Sequence, residues 1–368
     1  MLHTISRIIT WHQPQRHPLL CYNSVVKEIL CMEENYMVEA LPLHSARNRA
    51  ELSGFLMKHH LSFEEDIETA CCVFDSDYHI VGCGCASGNL LKCFALDESL
   101  RGLNLTGSVI TMLSQERFQK GYYDLFIITR SDNETLFTGC GFHTVVRTGS
   151  LVLLENRSDG PASFAASRFL KKDAAGSVGA IVMNCNPFTL GHRALIEYAS
   201  AHCDALYVFV VEEDRSLFPT EVRYRLVREG VSDLQNVRVC LSGHYMISQA
   251  TFPTYFLKEN ENAAELQADL DIRLFAERIA PLFHIRVRFA GEEPSDPVTA
   301  KYNDAMRTIL PSYGIQFSEI PRVRQDDVII SASCVRKLLS DPMTYDSAYR
   351  FVPDVTKKYL KEHKTPSA

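Results

Sequence analysis

No window of the 368-residue chain approaches the ~18 consecutive apolar residues that a membrane-spanning helix needs, so no such helix and no membrane partner is expected. Near the start the apolar stretches are short and interrupted by His and Pro, which leaves no secretory h-region. A basic surplus is missing too: 38 Lys and Arg face 45 Asp and Glu, a formal net charge of −7. That argues against nucleic acid or an anionic membrane as a partner, while leaving room for a small cationic pocket. Metal-binding cysteine patterns are lacking, because no C-x-x-C pair occurs with a second pair or a histidine pair at ligand spacing. Twelve cysteines are nevertheless present, several adjacent or alternating (Cys71-Cys72, Cys83-x-Cys85) inside apolar runs. They read as reduced, buried thiols, which implies a cytoplasmic location.

Composition is otherwise that of a globular protein, 46% hydrophobic and 23% charged, and the length suggests two domains. Residues 1–36 are read as a disordered tail, with Met32 and Met37 as candidate later starts of translation. From 37 to 157 the patterns are mixed. They predict a helix over 46–59, strands over 68–74 and 78–86 around the turn Asp75-Ser76-Asp77, and a third strand over 90–96. A helix over 104–119, a strand over 124–129, a short helix over 132–138 and one closing strand over 143–154 complete an α+β domain.

This order, the segment Leu100-Arg101-Gly102-Leu103-Asn104-Leu105-Thr106-Gly107 and the later Leu136-Phe137-x-x-Cys140-Gly141-Phe142 resemble the GNAT acetyltransferase fold. In that family, glycines opening the central helix let backbone N–H groups approach the pyrophosphate of coenzyme A. Here Asn104 and Thr106 stand where two of those glycines are expected, and a Cβ restricts close approach. The alternative is a domain that kept the fold and lost or altered the ligand.

Residues 158–176, rich in Ser, Ala, Gly and charge, read as the connection to a second domain over 177–362. There the apolar run Val178–Met183 suits a strand buried on both faces. Predicted elements then alternate: helix 191–203, strand 205–211, helix 220–234, strand 237–241, helix 263–280, strand 285–289, helix 297–309, strand 315–320 and helix 333–340. Such alternation implies a doubly wound parallel sheet, Rossmann-like, with ligands at the carboxyl ends of its strands.

The chemistry is concentrated where the first of these strands ends: Asn184-Cys-Asn186-Pro187-Phe188-Thr189-Leu190-Gly191-His192-Arg193. Thr189 suits an N-cap, and Gly191 permits close approach of a phosphate to the backbone. The N–H groups of the first helical turn favour an anion. T-x-G-H between strand and helix is the signature of the nucleotidylyltransferase superfamily. Bland alternatives are a cap for Thr189 and a surface or core histidine for His192. Downstream, Ile330-Ser331-Ala332-Ser333-Cys334-Val335-Arg336 resembles the I-S-S-T-x-x-R element of that superfamily. Ser331 and Ser333 can cap a helix and face phosphate, and Arg336 can reach a β- or γ-phosphate.

A wider set narrows the resemblance: Val211-Glu212-Glu213-Asp214-x-Ser216-x-Phe218-Pro219, Arg225-x-Val227-x-Glu229-Gly230 and Gly291-x-Glu293-Pro294-x-x-Pro297-Val298-Thr299-x-x-Tyr302-Asn303. With the two phosphate motifs and the GNAT-like half, the chain resembles the citrate lyase ligase family over about residues 37–360. The resemblance implies an acid–thiol ligase that activates acetate with ATP, giving acetyl-AMP and pyrophosphate. The acetyl group then passes to the prosthetic-group thiol of the citrate lyase acyl-carrier subunit, with Mg²⁺ as the usual phosphate bridge. It assigns catalysis to His192, Thr189 and Arg336, and ATP contacts to Asn186, Pro187, Phe188, Gly191, Arg215, Gly291, Ser331 and Ser333. Asp296 is a candidate metal ligand. Arg215 reads equally as an exposed loop arginine; Arg225 and Arg228, three apart on a helix, can form a cationic face toward the triphosphate, with a solvated helix face as the commoner explanation. Rival functions are a small-molecule adenylyltransferase of the phosphopantetheine or nicotinamide mononucleotide type, and a non-catalytic acyl-thioester sensor.

Overall fold

The computed structural model describes residues 36–364, except 172, 174–175, 213–215, 248–250, 259–260, 294–295 and 326–327. The tail expected over 1–36 lies outside the described residues save for Tyr36. Among the described residues no helix is long and apolar enough to cross a membrane.

The first half is built on seven strands: β1 (Met37–Leu41), β2 (Thr69–Phe74), β3 (Ile80–Ser87), β4 (Leu90–Leu96), β5 (Phe126–Arg130), β6 (His143–Arg147) and β7 (Leu151–Glu155). Their order is β1-β2-β3-β4-β5-β7-β6, antiparallel throughout except for β4 with β5. Alternation along each strand gives the sheet two buried faces. Helix α1 (Ala46–Lys58) packs Leu52, Phe55 and Leu56 with Cys72, Phe74, Cys83 and Cys85 in one core. Helix α2 (Leu105–Gln119) packs Val109, Ile110 and Leu113 with Cys71, Val73, Leu91 and Ile127 in the other. The adjacent pair Cys71-Cys72 therefore points to opposite faces. The ten described cysteines are free, and burial pushes the Cys71 thiol up to about 12, so it behaves as a small apolar group.

Two expectations are corrected here. The closing strand over 143–154 is two strands, β6 and β7. Thr148 Oγ1 accepts from the N–H groups of Ser150 and Leu151 at 3.3 and 3.0 Å and turns the chain between them. The apolar residues on either side mask that Thr-Gly-Ser turn in the sequence. Strand β1 was not expected at all. It is an edge strand with only Leu41 buried, so it lacks a strong periodic pattern.

After the short α3 (Glu134–Gly139), helix α4 (Gly160–Ala166) occupies part of the expected connection and buries Phe164 and Ala165. The second sheet is formed by β8 (Val178–Met183), β9 (Ala205–Val210), β10 (Val237–Leu241), β11 (Ile285–Gly291) and β12 (Gln316–Ile320). All pairs are parallel, in the order β10-β9-β8-β11-β12. Helices α5 (Leu190–Ser200) and α6 (Thr220–Gly230) cover one face through Ile196, Ala199, Leu226 and Val227. Helices α7 (Ala263–Leu274) and α8 (Pro297–Ile309) cover the other. The helix expected over 263–280 changes character at Phe275, where a π-helical turn (Phe275–Ile279) follows α7. Beyond β12 the described chain holds a two-residue ladder (Arg324–Gln325 with Val328–Ile329), α9 (Ala332–Leu339), a 3₁₀ turn (Tyr345–Phe351) and α10 (Asp354–Glu362), the last not expected from sequence.

The chain crosses from β8 to β9 and β10 on one side, then returns to place β11 on the other. The carboxyl ends of β8 and β11 thus diverge at a switch point, which opens a crevice. The two sheets share a core that includes Phe164, Tyr245, Tyr255 and Phe256. Tyr245 Oη donates to both carboxylate oxygens of Glu155 at 2.9 and 3.0 Å, tying the segment after β10 to β7.

Candidate active site

The loop after β8 is held from several sides. The buried Arg223 of α6 donates at 2.7 Å to the Asn184 carbonyl, to Asn184 Oδ1 and to the Val211 carbonyl at the end of β9. Asn186 Oδ1 accepts from the Phe218 N–H at 3.0 Å. Phe188 is fully buried, and its carbonyl accepts from Thr356 Oγ1 of α10 at 3.0 Å. Asn186, Pro187 and Phe188 therefore shape the loop from inside the core, and the Phe188 side chain presents no surface to a nucleotide.

Thr189 and His192 form a reciprocal cap at the start of α5. Thr189 Oγ1 accepts from the His192 N–H at 3.3 Å, and His192 Nδ1 accepts from the Thr189 N–H at 3.1 Å. Because Nδ1 accepts, the neutral ring carries its proton on Nε2, the nitrogen away from the cap. Burial, with Arg322 and Arg336 adding positive field, lowers the His192 pKa to about 4. Thr189 Oγ1 also lies 3.0 Å from Nδ1 and the residue is 1% exposed. The hydroxyl thus caps α5 and orients the histidine.

The second motif meets the first. A Cβ on Gly191 would stand 2.7 Å from the Ile330 carbonyl oxygen, so the close approach that this glycine permits is to the Ile330 backbone. Arg336 Nη1 donates to the Asn186 carbonyl at 2.5 Å across 150 residues of sequence. Ser331 caps α9, accepting from the Cys334 N–H at 3.1 Å, and its hydroxyl lies 3.0 Å from that of Ser333. The start of α9 therefore lies against the start of α5, which brings Arg336 close enough to His192 for its charge to be felt there.

On the β11 side, Asn303 Nδ2 donates to the Gly291 carbonyl at 3.0 Å and to Glu319 Oε1 at 2.7 Å, fixing this rim. Arg322, beyond β12, donates through Nε to the Glu292 carbonyl at 2.6 Å and pairs closely with Glu293. Sequence reasoning missed both Arg322 and the structural role of Arg223. Position just past a parallel strand's carboxyl end was the available signal for Arg322. Arg215 lies outside the described residues. Arg225 and Arg228 lie over the rings of Tyr359 and Tyr224 at 5.7 and 5.4 Å, on an exposed helix face.

Asp296 caps a helix. Oδ1 accepts from the Val298 N–H at 3.0 Å and Oδ2 from Thr299 Oγ1 at 2.7 Å, the pattern of a helix cap for α8. Among the described residues no group of three His, Cys, Asp or Glu side chains is placed to hold a metal.

Strands β4 and β5 pair only at Leu90–Phe126 and Leu91–Ile127. Beyond those pairs, Tyr255 Oη donates to the Ile128 carbonyl at 3.2 Å, and the Ser62 N–H donates to the Tyr255 carbonyl at 2.9 Å. Asn104 takes a left-handed φ of +53° at the start of α2, and its Oδ1 lies 2.8 Å from the Cβ position of Gly107.

Residues 178–360 match the family described as the citrate lyase ligase C-terminal domain. The chain is 37% identical over 327 residues to a [citrate [pro-3S]-lyase] ligase of Klebsiella pneumoniae, covering 86% of this chain and 95% of that one. It is 38% identical over 322 residues to the protein of that name from Escherichia coli (strain K12), covering 86% and 91%. A phosphopantetheine adenylyltransferase of Streptococcus gordonii (strain Challis) is 31% identical over 108 residues, 28% of this chain and 66% of that one.

Proposed function

The chain belongs to the citrate lyase ligase family, and from that premise we propose that it activates citrate lyase by adenylating acetate and acetylating the carrier thiol. ATP is the nucleotide, and the acyl-carrier subunit is the protein partner. In the first step an acetate oxygen attacks the α-phosphorus of ATP. A carboxyl O–P bond forms, the P–O bond to the β-phosphate breaks, and pyrophosphate leaves. Acetate needs no general base, because it is ionised at neutral pH.

Catalysis then rests on alignment and charge stabilisation. His192 donates from Nε2 to an α-phosphate oxygen and follows the charge that grows there. Its low pKa keeps it neutral, so Nδ1 continues to accept from the Thr189 N–H while Nε2 donates. Arg336, anchored by one N–H on the Asn186 carbonyl, offers its remaining donors to the departing pyrophosphate. The first-turn N–H groups of α5 and α9 add partial positive charge. Gly291 and the Arg322 side chain bound the crevice on the far side.

The observation that carries this reading is the meeting of two motifs some 140 residues apart, Gly191 against Ile330 and Arg336 on Asn186. The test is exchange of labelled pyrophosphate into ATP, with no acid, acetate, propionate or citrate. Exchange that requires acetate supports acyl-adenylate formation. Exchange driven instead by phosphopantetheine, without any acid, would favour the small-molecule adenylyltransferase reading that the 108-residue match suggests.

A further inference from the structure

A carboxylate that approaches a polyphosphate is repelled by it unless a cation stands beside both. The crevice has cations on two sides, and the loops there differ in charge. Residues 184–193 after β8 and 330–337 at the start of α9 include no Asp or Glu. The loop after β11 carries Glu292, Glu293 and Asp296. A triphosphate, with several negative charges, is favoured on the first side and opposed on the second. A monoanion is tolerated on the second side where one cation is aimed at it.

Arg322 is that cation. It stands over Gly291: its Nε lies 3.8 Å from the Cβ position of that glycine, and Leu195 Cδ2 lies 3.9 Å from the same point. These are ordinary contact distances, so the gap between the two side chains has room for a methyl carbon. Leu195 is three residues beyond His192 on α5 and shares its side of the helix. The charge of Arg322 is felt at His192 ahead of that of Arg336. One edge of the guanidinium is fixed: Nε donates to the Glu292 carbonyl at 2.6 Å, and Nη2 pairs with Glu293. Nη1 has no hydrogen-bond partner among the described residues, and the side chain is 23% exposed. An arginine held along its Nε–Nη2 edge keeps the other edge, Nη1 with the second Nη2 N–H, for a bidentate carboxylate.

We propose that Arg322 is the acid-binding residue: its open edge takes the carboxylate of a short monocarboxylate, with the acid's methyl against Gly291 and Leu195 and one oxygen turned to the α-phosphorus beside His192. The inference rests on the adenylation reading above and names, within it, the residue that selects the acid. No proton moves in the step. The attacking oxygen uses one lone pair to form the bond to phosphorus while others accept from Arg322. The P–O bond to the β-phosphate breaks, and its electron pair leaves with pyrophosphate. The carboxylate charge is lost in that exchange, so Arg322 grips the acid and releases the acyl adenylate.

The test is acetate-dependent ATP–pyrophosphate exchange by the full chain, with acetate titrated at saturating ATP and ATP at saturating acetate. Arg322→Lys keeps the charge and loses the fork. It is expected to raise the half-saturating acetate concentration about 10–100-fold, the loss of a bidentate bond between charged groups, and to leave that for ATP within about threefold. Gly291→Ala adds a methyl that meets nothing closer than 3.8 Å, and so is expected to fold. It should lower the propionate-to-acetate ratio of kcat/KM about tenfold, and the ratio cancels any effect on the nucleotide. Calorimetric binding of ATP reports on a variant whose exchange is too weak to titrate: retained binding supports the proposal, and lost binding overturns it. A rise for ATP as large as that for acetate in Arg322→Lys makes this residue a phosphate ligand and overturns it too. So does an unchanged half-saturating acetate concentration in Arg322→Lys, or an unchanged acid ratio in Gly291→Ala. Absence of acetate-dependent exchange in the unsubstituted protein is a different failure: it removes the adenylation reading, and this inference with it.

Discussion

Replacing His192 separates its two jobs. Its Nδ1 is the acceptor for the N–H of the buried Thr189, and its Nε2–H is the donor proposed for the α-phosphate. His192→Ala leaves that N–H without an acceptor, which costs about 1–3 kcal/mol of stability for a buried donor. Losing one preorganised donor to a developing oxyanion costs about 10²–10³ in turnover, or about 2.7–4 kcal/mol in the transition state. His192→Gln should divide these effects, because a glutamine three residues after a threonine cap restores the reciprocal cap. Urea unfolding should therefore show Ala destabilised and Gln near wild type, while exchange falls in both. Acidity gives a further check. The folded pKa of about 4 lies below the ordinary 6.5, so the unfolded chain binds the proton first. The stability contribution is full above pH 6.5 and is lost as pH falls from 6.5 toward 4; His192→Ala should lack that loss. Exchange by His192→Ala within about threefold of wild type would refute the assignment. So would a histidine-dependent break in the exchange profile near pH 6.5.

Other outcomes follow from the same contacts. Arg336→Lys keeps the charge but not the fork, and should lower exchange at least tenfold, with Arg336→Ala lower still; steady-state rates at saturating ATP check this. Gly191→Ala brings a Cβ to 2.7 Å from the Ile330 carbonyl, so α5 and the Ile330 segment must separate. Stability should drop by about 1–3 kcal/mol, and a wild-type urea midpoint would contradict the packing described. Glu155 is fully buried between the two sheets, and desolvation raises its pKa to about 7. The folded state then binds its proton more tightly than the unfolded chain, so this contribution is present below pH 4.5 and is lost as pH rises toward 7. Glu155→Gln, which still accepts from Tyr245, should melt higher than wild type above pH 7 and lose the advantage near pH 4.5.

The sequence by itself determined much of this protein. Residue pattern and flanking turn residues located β4, β8, β10, α1 and α8 almost to the residue, even though β10 has no fully buried residue and α8 buries only Asn303 and Met306. The two phosphate motifs were legible because their residue types are constrained locally: Thr189 and Ser331 must cap, and each opens a helix after extended chain. Weakly patterned elements escaped. Strand β1 is mostly exposed, and α10 follows Pro353 with a short stripe that gains meaning only against α6. Tertiary structure alone decided how roles were divided. Gly191 faces Ile330, Thr189 orients His192, Asp296 closes a helix, and Arg322 enters the site, because each outcome depends on which distant backbone lies within a few ångströms. Spacing along a chain fixes what a turn or helix can present locally. It does not fix the partner brought by a crossover 140 residues later.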